Sequence, residues 1–179
     1  MAPTVAHEQA AANILGVSRV HWYQTGLAGL RLTLGFVFLW AFLDKVFGLG
    51  FSTPASRSWL NGGNPTQGFL SSSEGPLAGA FQAMAGHPAT NLLFMGGLLA
   101  IGVALLLGIG LRIAGYSGAA MMLLMYASHL PPTTNPIVDD HIVYAIVLLL
   151  LPTFRAGEYA GLGHTWKASK LVQRFPILA

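Results

Sequence analysis

The 179-residue chain is 54% hydrophobic and only 8% charged, with a mean hydropathy of +0.60. Soluble domains carry about 25% charged residues, so this chain has too few to cover a water-facing surface. It has no cysteine, which excludes disulfides, thiol chemistry, iron–sulfur ligation and covalent c-type haem by the chain itself. The net charge of +3 comes from basic residues scattered at the ends of apolar runs and in a short tail. That pattern reads as membrane topology and not as a nucleic-acid surface.

Residues 1–24 carry Ser18, Arg19 and His21 without the apolar run and cleavage site of a secretory signal. They are expected to form a cytoplasmic N-terminal segment. Span one is expected at about 25–47, with His21, Trp22 and Tyr23 as an interfacial belt before it. A loop over 48–90 follows, rich in Gly, Asn, Pro and Ser, with helical spacing of Leu77, Phe81, Met84 and Ala85 inside it. A loop of this length is expected to pack down as a cap.

Spans two and three, at about 91–111 and 113–130, are joined by so short a turn that they form an antiparallel hairpin. Small residues at Gly97, Ala100, Ala104, Gly115, Gly118 and Ala119 permit close helix approach. The string GIGLRIAG at this turn has glycines spaced somewhat like a phosphate loop. It follows no strand, so that motif reading is rejected. The connector PPTTNPIVDD leads into span four at about 138–154, and residues 156–179 form a basic tail. The fold class expected is an all-α integral membrane four-helix bundle over 25–155, with a long, partly helical extracytoplasmic loop between spans one and two.

Arg19, Arg112, Arg155, Lys167, Lys170 and Arg174 fall on one side of four crossings, against Lys45 and Arg57 on the other. By the positive-inside rule both termini are cytoplasmic. Arg31, inside span one, is expected to snorkel to the cytoplasmic headgroups or to pair within the bundle.

This topology gathers Asp44, Lys45, His129, Asp139, Asp140 and His141 at the outer end. Charges at membrane depth are costly and turn inward to partners, so Lys45 is expected to pair with Asp139 or Asp140. The other carboxylate and His141 would then exchange protons, since histidine changes charge near neutral pH. Capping of span four is the competing role for Asp139 and Asp140. His129, after Met122, Met125 and Tyr126, reads first as packing, and His129 with His141 lacks the spacing of a metal site. Trp59 and Asn64 in the loop are candidate ligand contacts, or parts of a self-packed lid.

Four strings carry a family resemblance: RLTLGFVFLWAFLDKVFGLGF, NGGNPTQGFL, LFMGGLLAIGVALLLGIGLRIAGYSGAAMMLLMY and NPIVDDHIVYA. Over about residues 25–155 the chain resembles the DoxX/DoxD family of small four-helix membrane proteins. The DoxD branch includes a subunit of thiosulfate:quinone oxidoreductase. The resemblance implies a multi-pass protein of a bacterial plasma membrane with quinone as cofactor, working with a redox or respiratory-complex subunit or with further copies of itself. Asp140, His141 and Lys45 are then the candidate catalytic groups, and Asp44, Asp139, His129, Trp59 and Asn64 the candidate ligand contacts. Without cysteine no sulfur intermediate can be carried on a protein thiol. A non-catalytic accessory or assembly subunit is the alternative. A small-solute carrier is the third reading, against which stand the lack of a repeat and of midplane charge in spans two to four.

Overall fold

The computed structural model describes residues 4–132 and 135–178, with side chains from Trp22 onward. The side chains of Ser18, Arg19 and His21, and both Thr133 and Thr134 of the connector, lie outside the described residues. Every regular element among the described residues is helical: α1 (Thr4–Phe47), α2 (Gln67–Ser71), α3 (Ala78–Met84), α4 (Pro88–Leu107), α5 (Leu111–Ser128), α6 (Asp140–Thr153), α7 (Gly163–Lys167) and α8 (Lys170–Arg174), with single 3₁₀ turns between them. The first element is one helix of 44 residues that runs from the N-terminal segment through the stretch expected as span one. The run VAHEQAAANIL explains the continuity, because it is dominated by good helix formers and holds no proline.

The other long helices begin and end where local chemistry dictates. His87 Nδ1 accepts from Ala89 N at 3.2 Å and Pro88 occupies the first turn of α4, where its missing N–H costs nothing. Gly108 ends α4 in the left-handed conformation at φ 74°, as a glycine after a helix does. Asp139 opens α6 by accepting from His141 N at 3.1 Å and Ile142 N at 3.3 Å.

In the packing order α1 lies on α4, α4 on α5 and α5 on α6, around a core that includes Phe38, Met95, Leu98, Leu105, Met122, Leu148 and Leu151. The close approaches fall at Gly102, where a Cβ would stand 2.8 Å from Leu39 N, and at Gly115, where it would stand 2.6 Å from the Leu148 carbonyl oxygen. Gly115 and Gly118 therefore act as the small-residue pattern expected. Gly97 instead faces only the end of Met121, and Gly102 holds the tightest α1–α4 contact.

The outer surfaces of these helices are apolar. Phe36 on α1, Leu93 on α4, Leu124 on α5 and Ile146 on α6 are 57%, 76%, 59% and 54% exposed. Two segments, Trp22–Phe47 and Pro88–Leu107, are long and apolar enough to cross a membrane. Only 33% and 28% of their apolar windows are buried inside the molecule, whereas a core helix of a soluble protein is mostly covered. The apolar α6 is shorter, at 14 residues.

The loop over 48–90 is folded down as a cap. Thr66 Oγ1 donates to the buried Asn91 Oδ1 at 2.6 Å, Gln82 Nε2 to the Ser73 carbonyl at 3.0 Å, and Glu74 N to the Ser128 carbonyl at 3.2 Å. Gly75, at φ 81°, passes so close to the Leu130 carbonyl that any Cβ would collide with it. At the other end the tail is also folded: Leu162 N donates to the Leu107 carbonyl at 2.8 Å, and Pro176–Leu178 packs on α5.

Candidate functional site

Helix direction places Asp44 and Lys45, His129, and Asp139 to His141 at one end of the packed helices, but they do not form one cluster. Asp44, 1% exposed, is used by the turn that follows its own helix. It accepts from Phe51 N at 3.2 Å, Ser52 N at 3.0 Å and Ser52 Oγ at 2.6 Å. Lys45 does not pair with Asp139 or Asp140: its Nζ lies 3.5 Å from Ser52 Oγ, and the described ion pairs do not include it. A helix C-terminus favours a lysine in its last turn, and the Asp44 carboxylate on the same turn is a nearer counter-charge than α6.

His129 ends α5, where its Nδ1 is 2.9 Å from Ser128 Oγ and its ring packs on Phe69 at a centroid distance of 4.4 Å. Asn64 staples the cap: its Nδ2 donates to the Gly86 carbonyl at 3.0 Å and its Oδ1 accepts from Gln67 N at 3.2 Å. Trp59, 37% exposed, lies in a 3₁₀ turn that packs against α1. Asn64 thus takes the self-packed arrangement, and Trp59 keeps an exposed face.

The closest functional geometry lies in the first turn of α6. His141 Nδ1 stands 2.7 Å from Asp139 Oδ2 and 3.5 Å from Asp140 Oδ1. Asp139 takes the capping role weighed for it, closing the helix end through Oδ1, and its Oδ2 meets the imidazole in place of the Lys45 pairing expected. Asp140 is 67% exposed. A carboxylate on Nδ1 fixes which imidazole nitrogen remains available, and Nε2 has no partner among the described residues. Ile137, Val138 and Val143, all exposed and apolar, flank this turn.

The opposite end holds what the sequence reading passed over. Arg31 neither snorkels nor finds a carboxylate; it is completely buried. Its Nη1 donates to the carbonyls of Leu105 and, at 2.9 Å, Leu106, while Nη2 donates to those of Tyr159 at 3.2 Å and Ala160 at 2.9 Å. Leu105 and Leu106 lie in the last turn of α4, where carbonyls run short of helical donors, Leu105 accepting only a long 3.3 Å bond from Gly108 N, and carry the negative end of the helix dipole. Arg31 therefore ties the end of α4 to the turn after α6. Beside it, a cavity of about 290 Å³ opens between the α4–α5 turn, the end of α6 and α7, with Arg112, Arg155, Glu158, Trp166 and Lys167 on its walls. The signal available in the sequence was glycine at both strands of this contact, 108–110 and 157–163, since backbone approaches this close admit no side chain.

Compared with family models, curated proteins and solved structures, the chain matches none.

Proposed function

We propose that the chain is a four-span bacterial membrane protein, multi-pass with both termini cytoplasmic, that serves as a quinone-linked redox subunit with His141 as its proton-handling group. The membrane part rests on the apolar outer faces of α1, α4, α5 and α6, which suit lipid and would be poorly tolerated in water. The chemical part rests on one observation, the 2.7 Å contact of His141 Nδ1 with Asp139 Oδ2 at the mouth of an apolar helix.

The residues of this turn fit a quinone head group in two respects: an imidazole nitrogen without a partner among the described residues, and exposed aliphatic side chains beside it along which an apolar ring can lie. When bound, a quinone would supply two-electron, two-proton redox chemistry, its electrons coming from a partner or a small reductant. Asp139 would keep the imidazole oriented, and His141 Nε2 would hold the proton exchanged with the ligand oxygen. Asp140, exposed at the membrane surface, would pass that proton to water.

The test is quinone retention and thiosulfate- or partner-driven quinone reduction by the purified chain, compared with His141→Gln. The variant is expected to lose at least tenfold in turnover with the thermal midpoint held. Unchanged turnover would remove His141 from the mechanism.

A second reading, an accessory or assembly subunit, is favoured by Asp44 and Asn64, whose hydrogen bonds are satisfied inside the chain. It predicts that Lys45→Met lowers assembly and that no substitution removes turnover from an intact complex.

A further inference from the structure

We propose that the cavity at the Arg-rich end is a binding site for a phosphate-bearing anion, either the headgroup of an anionic phospholipid or a free phosphate. Its volume of about 290 Å³ lies at the small end of ligand pockets, which run from about 300 to 1,000 Å³, so it suits a headgroup and not a large metabolite.

Its walls carry three cations and one carboxylate, and the carboxylate is already engaged. Glu158 accepts a hydrogen bond from Lys167 Nζ and lies 3.7 Å from His164 Nε2. Arg112 has no hydrogen bond or ion pair to any described residue, and Arg155 has only the distant attraction of Glu158. Arg31 adds a further positive charge from behind the wall: a Cβ on Gly108 would stand 3.2 Å from its Nη1, and only backbone carbonyls neutralise it.

The backbone supports the same ligand. Gly110 caps α5 without a side-chain acceptor, and the first intrahelical bond of α5 starts at Ala114 N. The earlier N–H groups of that turn are left for an acceptor from outside, in the direction that favours anions. The turn is the GIGLRIAG string whose reading as a nucleotide loop fails for want of a strand. Here the anion would be held by arginine forks and open amides at a helix hairpin, not by a phosphate loop. Trp166 Nε1 donates to the Leu178 carbonyl at 2.6 Å, which leaves the indole as a rigid apolar wall beside the cations.

The lipid arm rests on the membrane reading above, which sets this end in the cytoplasmic leaflet; the phosphate arm does not. The full chain, purified in mild detergent, is exchanged into nanodiscs of phosphatidylcholine alone or with phosphatidylglycerol. Retained lipid is read by native mass spectrometry, and inorganic phosphate is titrated separately against Trp166 fluorescence, with Trp166→Phe as the blank. Selective retention of phosphatidylglycerol supports the headgroup, and saturable phosphate binding with no lipid preference supports the free anion.

Arg112→Gln is expected to weaken the selected anion about fivefold, corresponding to the ~1 kcal/mol that one cation contributes near an anionic surface. Lys170→Gln, the same charge change outside the cavity, is expected to leave it unchanged. Because Arg112 is exposed and bonds to no described residue, its loss leaves folding intact. Equal retention of both lipids together with no saturable phosphate binding overturns the proposal, as does an equal effect of the two substitutions. A chain that stays soluble without detergent sinks the membrane reading while leaving the phosphate titration valid.

Discussion

At the residue scale the two ends of the molecule treat charge differently. Asp44 and Arg31 are both buried on α1, about four turns apart, and among the described residues neither meets an opposite charge on a side chain: Asp44 is held by Phe51 N, Ser52 N and Ser52 Oγ, and the two Nη atoms of Arg31 by backbone carbonyls, its Nε being left without a partner. For Arg31 this means that one side chain bridges two segments that otherwise meet through glycine backbone and the Leu162 N to Leu107 carbonyl bond. Arg31→Met would take a donor from four carbonyls, of which Leu105 keeps Gly108 N, at about 1–3 kcal/mol for each buried group left without one. Some of these can recover donors by relaxation, so a net loss on the order of 3 kcal/mol is expected. Arg31→Lys keeps the charge but lacks the fork and is expected to recover less than half of it. Thermal unfolding in detergent checks both, and an unchanged midpoint for Arg31→Met would refute the clamp. The sequence showed Arg31 as a charge inside an apolar span, but snorkelling and burial differ only in which way the residue faces. That depends on where α4 ends in space, which no local pattern in α1 encodes.

Glu158 carries the pH dependence of the same end. The hydrogen bond from Lys167 holds its carboxyl below the usual glutamate range, aided by the charges of Lys167, His164 and Arg155, although its partial burial works in the opposite direction. A carboxyl with a lowered folded pKa stabilises the fold above its unfolded value of about 4.3, and that contribution is lost as pH falls through the folded value. Docking of the tail on the α4–α5 turn is therefore expected to loosen in acid. Glu158→Gln should flatten this dependence when hydrogen exchange of residues 156–174 is followed between neutral and acidic pH. A tail that exchanges equally at both would contradict it.

At the element scale, helix approach depends on glycine more narrowly than composition suggests. Gly102→Ala and Gly115→Ala would each push a methyl onto backbone, N of Leu39 or O of Leu148, where no side chain can turn aside. Overpacking of this kind costs about 1–3 kcal/mol, against which alanine recovers about 1 kcal/mol of helix propensity. Gly96→Ala meets nothing within 4 Å and keeps only the gain. The expected order of thermal midpoints is Gly96→Ala at or above the parent, with Gly102→Ala and Gly115→Ala below it. The start of α6 was legible in the sequence because Asp139 acts through its nearest neighbours, whereas α4 begins at Pro88 and ends before Gly108, earlier at both ends than the 91–111 expected. The pairing of Gly102 with Leu39 was not legible, because a stripe of small residues does not name its partner.

At the scale of the whole molecule, the ionisable groups expected in one outer cluster are divided. Among the described residues the candidate side chains meet in the first turn of α6, where His141 lies against Asp139 and Asp140, while Lys45, Asp44, His129 and Asn64 are held by the cap and its flanking turns. Gathering residues by depth was possible from the spans, but azimuth around the bundle was not, and azimuth decides which charges meet. The same limit turned the basic end into mere topology, although its arginines surround a cavity. Orientation can be measured without this ambiguity because the chain has no cysteine. Ser72, exposed on the cap, and Ala168, exposed on the tail, offer single sites at opposite ends of the packed helices. If four helices cross the membrane with both termini inside, Ser72→Cys reacts with a membrane-impermeant maleimide in intact cells. Ala168→Cys would then react only after permeabilisation. Labelling of both in intact cells would place an even number of crossings, or none, between the cap and the tail. With the tail outside, the cavity of Arg112 and Arg155 would face the wrong leaflet for the lipid arm of its proposed ligand, and only the free anion would remain.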